Sequence, residues 1–266
     1  MTTSASALSL ALALAMAVAA GLVGCFAVMR RMTLASDAIS HVALPGIGIA
    51  LALHFHPVLG GLAALLFGTV LVWAVEHKTG IPTETVIGVV FSAALAVGSL
   101  LTSGEELIEA LFGAPRDLGP AETVLGLMGA ALVIGFILRA RDRLVIALVS
   151  PDLARTVGID TARMDLLFLL AFSLTVALGL RYLGVLLMGS LIIIPAATAK
   201  HLARSLTAML LIAVSAAVLS TLIGLSVAPL VHLEAGPLII AVAAGLFFGS
   251  LLVRQRARQG PAVPAE

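Results

Sequence analysis

About nine stretches of nearly uninterrupted apolar residues follow one another along this chain, at roughly 7–29, 38–56, 57–75, 85–103, 121–138, 166–180, 182–199, 205–228 and 236–253. A helix rising 1.5 Å per residue needs about 20 such residues to cross the hydrocarbon core of a bilayer. Water has no room for so many of them. Of the residues, 61% are hydrophobic and 11% charged, against about 45–50% and about 25% in an ordinary soluble domain. The runs are continuously apolar rather than alternating, which argues against a β-barrel. The expectation is an all-α, polytopic helical membrane protein with eight or nine transmembrane segments. Eight applies if one of the short or interrupted stretches, the second or the seventh, crosses only in part.

The charges orient these segments. With nine crossings and the C-terminus in the cytoplasm, only Arg116 and Arg181 of the 15 basic residues fall outside, in keeping with the positive-inside rule. The N-terminus then lies outside. Residues Met1 to Met29 carry no charged side chain, so the basic start of a secretory signal is missing and the stretch reads as a transmembrane helix. Residues 1–258 form one transmembrane domain, and 259–266 read as a disordered tail. The single cysteine, Cys25, lies in an apolar run, which excludes a disulfide within the chain. Lipid is the surrounding phase, and no nucleic-acid partner is expected.

What is missing narrows the function. No G-x-x-x-x-G-K-[ST] phosphate loop occurs, and neither Lys78 nor Lys200 follows a glycine. If ATP drives this chain, a separate subunit hydrolyses it. No stretch is long enough for a substrate-capturing domain either, so capture would also fall to a partner.

The chemistry-bearing residues begin at Ser36-Asp37-Ala38-Ile39-Ser40-His41, entering the second stretch. On a helix, Asp37 and His41 are four apart and share a face. A carboxylate and an imidazole so placed can bind one divalent ion, in the mixed oxygen and nitrogen chemistry that suits manganese, iron or zinc. The spacing equally fits a helix-start pair, with the aspartate complementing the dipole and the histidine hydrogen-bonded. Just downstream, Leu44-Pro45-Gly46-Ile47-Gly48 predicts a kinked or broken helix. Broken helices line substrate sites in many transporters.

A second element is the stretch from Ser150 to Gly158. Ser150 suits an N-cap, Pro151 the first position and Asp152 the dipole, while Gly158 can stop the helix. Leu153 and Val157 share a face beside Ala154 and Arg155. A helix this short persists when something packs on it, so it is either a docking element for a cytosolic subunit or an ordinary loop helix. Pro195 stands inside the apolar run Leu191 to Ala199, where Thr198 can help satisfy the backbone. Gly245 and Gly249 make a small-xxx-small face. His54, His56, His77, His201 and His232 near segment ends read as interfacial side chains, and Glu105, Glu106 and Glu109 as a solvated face.

Several pieces, taken in order, resemble the zinc/manganese class of ABC-transporter permeases over nearly the whole chain. They are Arg30-Arg31-Met32, Ser36 to Gly46, Ile87 to Ser92, Leu111-Phe112-Gly113, Ser150 to Ala154, Leu191 to Ala199 and Ala235-Gly236-Pro237. The resemblance implies the ABC importer permease fold and a homodimer bound to two copies of a cytosolic ABC ATPase. An extracytoplasmic metal-binding protein would feed it. It further implies that Asp37 and His41 coordinate the transported Zn2+ or Mn2+, and that Ser150 to Gly158 is the coupling helix. ATP would bind the partner, and this chain would hold no cofactor and catalyse no covalent step. Leu44-Pro45-Gly46 is closer to the manganese branch and Leu191 to Ala199 to the zinc branch, so the metal stays open. The rivals are a permease for a metal chelate or vitamin and a gradient-driven secondary transporter. An intramembrane metalloenzyme would need more ligands and a base than Asp37 and His41 supply.

Overall fold

Where no water is at hand, each backbone N–H and C=O must find its partner within its own segment, and this chain meets the demand with helices. The computed structural model describes residues 3–32, 35–55, 57–101, 119–182 and 185–258. Eleven helices occur among the described residues: α1 (Thr3–Met29), α2 (Ala35–His41), α3 (Ala43–Ala52), α4 (Pro57–Thr79), α5 (Thr83–Leu101), α6 (Pro120–Val149), α7 (Pro151–Thr156), α8 (Thr161–Tyr182), α9 (Val185–Leu202), α10 (Leu206–Val231) and α11 (Ala235–Arg258). His56, Glu105, Glu106, Glu109, Leu111-Phe112-Gly113, Arg116 and the tail 259–266 lie outside the described residues.

α1 is the hub. It is apolar all round, as a helix enclosed on every side must be, and Met16, Ala17, Ala20, Val23 and Phe26 are fully buried. α6, α8, α9 and α10 pack around it. The approach of α9 is close enough that a Cβ at Gly24 would overlap the Ile192 carbonyl oxygen. A second group forms from α2, α3, α4 and α5, and α8 joins the two groups by touching α1, α2 and α4. Large apolar side chains such as Phe67, Val89, Leu125 and Leu230 stand exposed on the outside, the surface that lipid covers.

Buried hydroxyls are satisfied locally. Thr69 donates to the Leu65 carbonyl (2.7 Å), Thr175 to Ala171 (2.7 Å), Ser220 to Ala216 (2.7 Å) and Thr221 to Ala217 (2.9 Å). Each bond reaches one turn back along the same helix, so none needs an external partner. Thr69 also meets the Ser173 hydroxyl between α4 and α8, a polar contact between the two groups.

The count of spans needs correcting. Six helices among the described residues are long and apolar enough to cross a membrane alone, fewer than the eight or nine expected. The shortfall has a physical cause. The second stretch is split into α2 and α3, and the apolar helical parts at Thr83–Gly98 and Leu187–Leu202 are short. A second correction concerns 139–165, expected to link two segments. α6 runs on to Val149 through Arg139, Arg141, Asp142 and Arg143. Charges end an apolar run, but arginine, alanine and leucine remain strong helix formers. At 30 residues the helix is about 45 Å long and outreaches a hydrocarbon core about 30 Å thick.

Candidate functional site

The second stretch breaks at Val42. α2 ends with His41, the Val42 amide donates to the Ile39 carbonyl (3.0 Å), and α3 begins at Ala43. Pro45 explains the position. In a continuous helix its ring would collide with the carbonyl four residues back, that of His41, and it has no N–H to give. In the first turn of α3 neither demand arises. Asp37 sits one turn before His41 in α2, so the break leaves both residues on the last turns of a helix that stops short.

α5 runs alongside the break and touches both halves. The His41 imidazole is half-buried and lies 5.4 Å from the Phe91 ring, tilted at 57°. Further along α5, a Cβ at Gly98 would sit 3.1 Å from the Leu44 Cβ and 3.4 Å from the Pro45 ring. Beneath the break is a small void lined by Ile39, Val42, Leu65, Gly68, Thr69, Val72, Ile87 and Val90. These walls offer almost no ligand atoms, so a cation has no place there. His41 lies one turn after Asp37 along α2.

The other described histidines go elsewhere. His77 stacks on Trp73 (5.6 Å, 5° between planes), His201 packs edge-on against Phe247 (5.8 Å), and His54 and His232 are exposed with left-handed backbones. Among the described residues no three His, Cys, Asp or Glu side chains gather into a cluster.

The stretch after α6 folds as α7. Ser150 is its N-cap, its side chain accepting from the Leu153 amide (3.3 Å), Pro151 opens the helix, and Asp152 lies 3.6 Å from Arg155. Gly158, at φ 74°, takes the left-handed turn that ends such a helix. The Gly158 amide donates to the Arg155 carbonyl (3.1 Å) and the Ile159 amide to Ala154 (2.8 Å). Ala154 is fully buried, whereas Leu153 (55% exposed) and Val157 (59% exposed) project outward as a pair of apolar knobs.

Two contacts at this end of the bundle join residues far apart in sequence. Arg30, at the end of α1, donates to the Asp165 carboxylate of α8 at 2.6 Å, and its guanidinium lies 4.6 Å above the Phe168 ring. Trp73 Nε1 donates to the Ala162 carbonyl (2.9 Å), tying α4 to the start of α8. Sequence reasoning missed the Arg30–Asp165 pair and the Phe91 contact. Both Arg30 and Phe91 stand in stretches that carry the family resemblance, which was the one available signal.

Residues 5–254 match the ABC 3 transport family. The high-affinity zinc uptake system membrane protein ZnuB of Haemophilus influenzae is 30% identical over 240 residues, covering 88% of this chain and 92% of that protein. The manganese import system permease protein ScaB of Streptococcus parasanguinis is 30% identical over 247 residues, covering 90% and 87%. Among solved structures, PsaBC from Streptococcus pneumoniae in complex with Fab superposes with a TM-score of 0.79 at 26% identity, covering 94% of this chain and 92% of that one.

Proposed function

This chain belongs to the ABC 3 transport family, and we propose on that premise that it is the membrane-spanning permease of an ATP-driven importer of zinc or manganese. Relatives named for zinc uptake and for manganese import, each aligned over most of its length, support the cargo class. The observation that carries the site is the break at Val42, which leaves Asp37 and His41 one turn apart on the interrupted α2. A carboxylate oxygen and an imidazole nitrogen suit both ions.

Two side chains fall short of the four or more ligands such ions take. A second copy of the chain supplies the same pair, so the ion passes between two α2 helices in a homodimer. Binding there is transient, since a site that holds its cargo too well does not deliver it. ATP binding and hydrolysis in two cytosolic partner subunits switch the dimer between outward-open and inward-open states. An extracytoplasmic metal-binding protein brings the ion. The chain itself makes and breaks no covalent bond.

The basic residues support one orientation. Arg30, Arg31, Lys78, Arg155 and Arg163 belong to the end of the bundle that carries α7; by the positive-inside rule this favours that end as cytoplasmic, in a multi-pass protein of the inner, plasma membrane. α7 then faces the ATPase, with Leu153 and Val157 as its apolar contacts. Ser150, Pro151, Asp152, Ala154, Arg155 and Gly158 shape and cap the coupling helix.

The test is metal accumulation in cells that lack their own high-affinity uptake, expressing the chain with its ATPase and binding protein. Elemental analysis would show a selective gain of zinc or manganese, lost in Asp37→Ala and His41→Ala variants that still reach the membrane. Accumulation that survives both substitutions would remove this site and favour a chelate as cargo.

A further inference from the structure

ATP hydrolysed on a partner moves metal only if displacement of α7 reaches α2. The structure contains a short route between them. From α7 the chain passes through the hydrogen-bonded turn at Gly158 and Ile159 into α8, whose first turn is pinned by Asp160, its carboxylate accepting from the Arg163 amide (3.1 Å). With Ala154 fully buried at one side of this turn, α7 has little freedom to swing without carrying the start of α8 along.

Asp165 stands just beyond that first turn, and its partner Arg30 closes α1. The exit from α1 is hydrogen-bonded too. Arg31 takes a left-handed conformation (φ 62°), the Met32 amide donates to the Ala27 carbonyl (2.9 Å), and the Ala35 amide that opens α2 donates to Met32 (3.1 Å). Met32 itself is buried. A displacement applied at Arg30 therefore arrives at the first residue of the helix that carries Asp37 and His41.

The pair is built to hold. The Arg30 side chain is 12% exposed and that of Asp165 37%, so the contact is far better shielded than the pairs at Asp152–Arg155 and Asp160–Arg163, whose arginines are 70% and 81% exposed. A shielded pair retains its attraction in salt where exposed ones lose it. The guanidinium is also sandwiched by charge on one side and the fully buried Phe168 ring on another, a contact that a lysine ammonium does not reproduce in shape.

We infer that Arg30 and Asp165 form the strut that transmits ATPase-driven movement of α7 and α8 into the metal-bearing helix α2. The inference rests on the import reading above, and names Arg30 and Asp165 as positioning residues that touch no cargo. It deepens that reading by stating where the drive enters α2.

The experiment uses the complete transporter, this chain with its ATPase and metal-binding protein, in proteoliposomes supplied with Mn2+ or Zn2+. Metal delivered per ATP hydrolysed is the readout, because a merely structural loss lowers both quantities together and leaves their ratio alone. Arg30→Gln and Asp165→Asn are expected to keep hydrolysing ATP while the ratio falls about tenfold. The exchanged pair, Arg30→Asp with Asp165→Arg, is expected to recover part of it. Arg30→Lys, which preserves the charge, is expected to fall between wild type and Arg30→Gln. A wild-type ratio in any of the three single variants would overturn the strut while leaving the import reading intact. A wild-type complex that hydrolyses ATP and moves neither metal would overturn the import reading, and the strut with it.

Discussion

Proline occurs in the middle of an apolar stretch at two comparable places in this chain, with opposite results. α9 continues from Val185 to Leu202 through Pro195 as one helix, whereas the stretch containing Pro45 divides into α2 and α3. Each proline forbids the hydrogen bond to the carbonyl four residues earlier, at Leu191 in one case and His41 in the other. α9 is clasped by α1, α10 and α11, and Leu191, Ile192 and Ala196 are all buried. Thr198, one turn after Ile194, donates its hydroxyl to the Ile194 carbonyl (2.9 Å). Around Val42 the chain is buried as well, at Val42, Ala43 and Leu44, but Pro45 is followed by Gly46, packed closely against Gly60, where Pro195 is followed by two alanines. Context decides whether a proline is carried within a helix or ends one.

That comparison can be broken most sharply at glycines. Gly24→Ala, which places a Cβ onto the Ile192 carbonyl, is expected to destabilise the protein by about 1–3 kcal/mol, seen as a lower thermal midpoint in detergent and less protein in the membrane. The same change at Gly245, where a Cβ would meet nothing within 4 Å, is expected to stabilise by about 0.5–1 kcal/mol. Equal effects at the two sites would show that α1 and α9 are not the rigid half. A smaller effect is expected from Pro45→Ala. It lets α2 and α3 merge, so metal uptake should fall while the amount of protein in the membrane is preserved. The smallest belongs to Pro195→Ala, which should leave uptake at the wild-type level because α9 is already continuous. Uptake that depends on Pro195 and not on Pro45 would reverse the roles assigned to the two helices.

Much of this architecture is legible in the amino-acid order because apolar runs of membrane length have few other ways to be buried. The interruption of the second stretch follows from Pro45, and the helix at α7 from Ser150, Pro151 and Gly158, each a local signal with a local consequence. The spacing of Asp37 and His41 is likewise local. The number of spans is harder, since hydropathy registers where charge begins and helices such as α6 continue past it. Arg30 and Asp165 are 135 residues apart, and no periodicity links them. The same holds for Phe91 against His41. Such contacts arise from the packing of α8 and α5 around α1 and α2, which no single stretch encodes.

The most direct measurement of the central claim, that the interrupted helix carries the ion, is anomalous diffraction from crystals of the assembled transporter grown with Mn2+ or Zn2+. The account expects an element-specific peak on α2, about 2.0–2.2 Å from a His41 nitrogen and an Asp37 carboxylate oxygen. A peak at His201 on the continuous α9 or at His54, with none on α2, would contradict it.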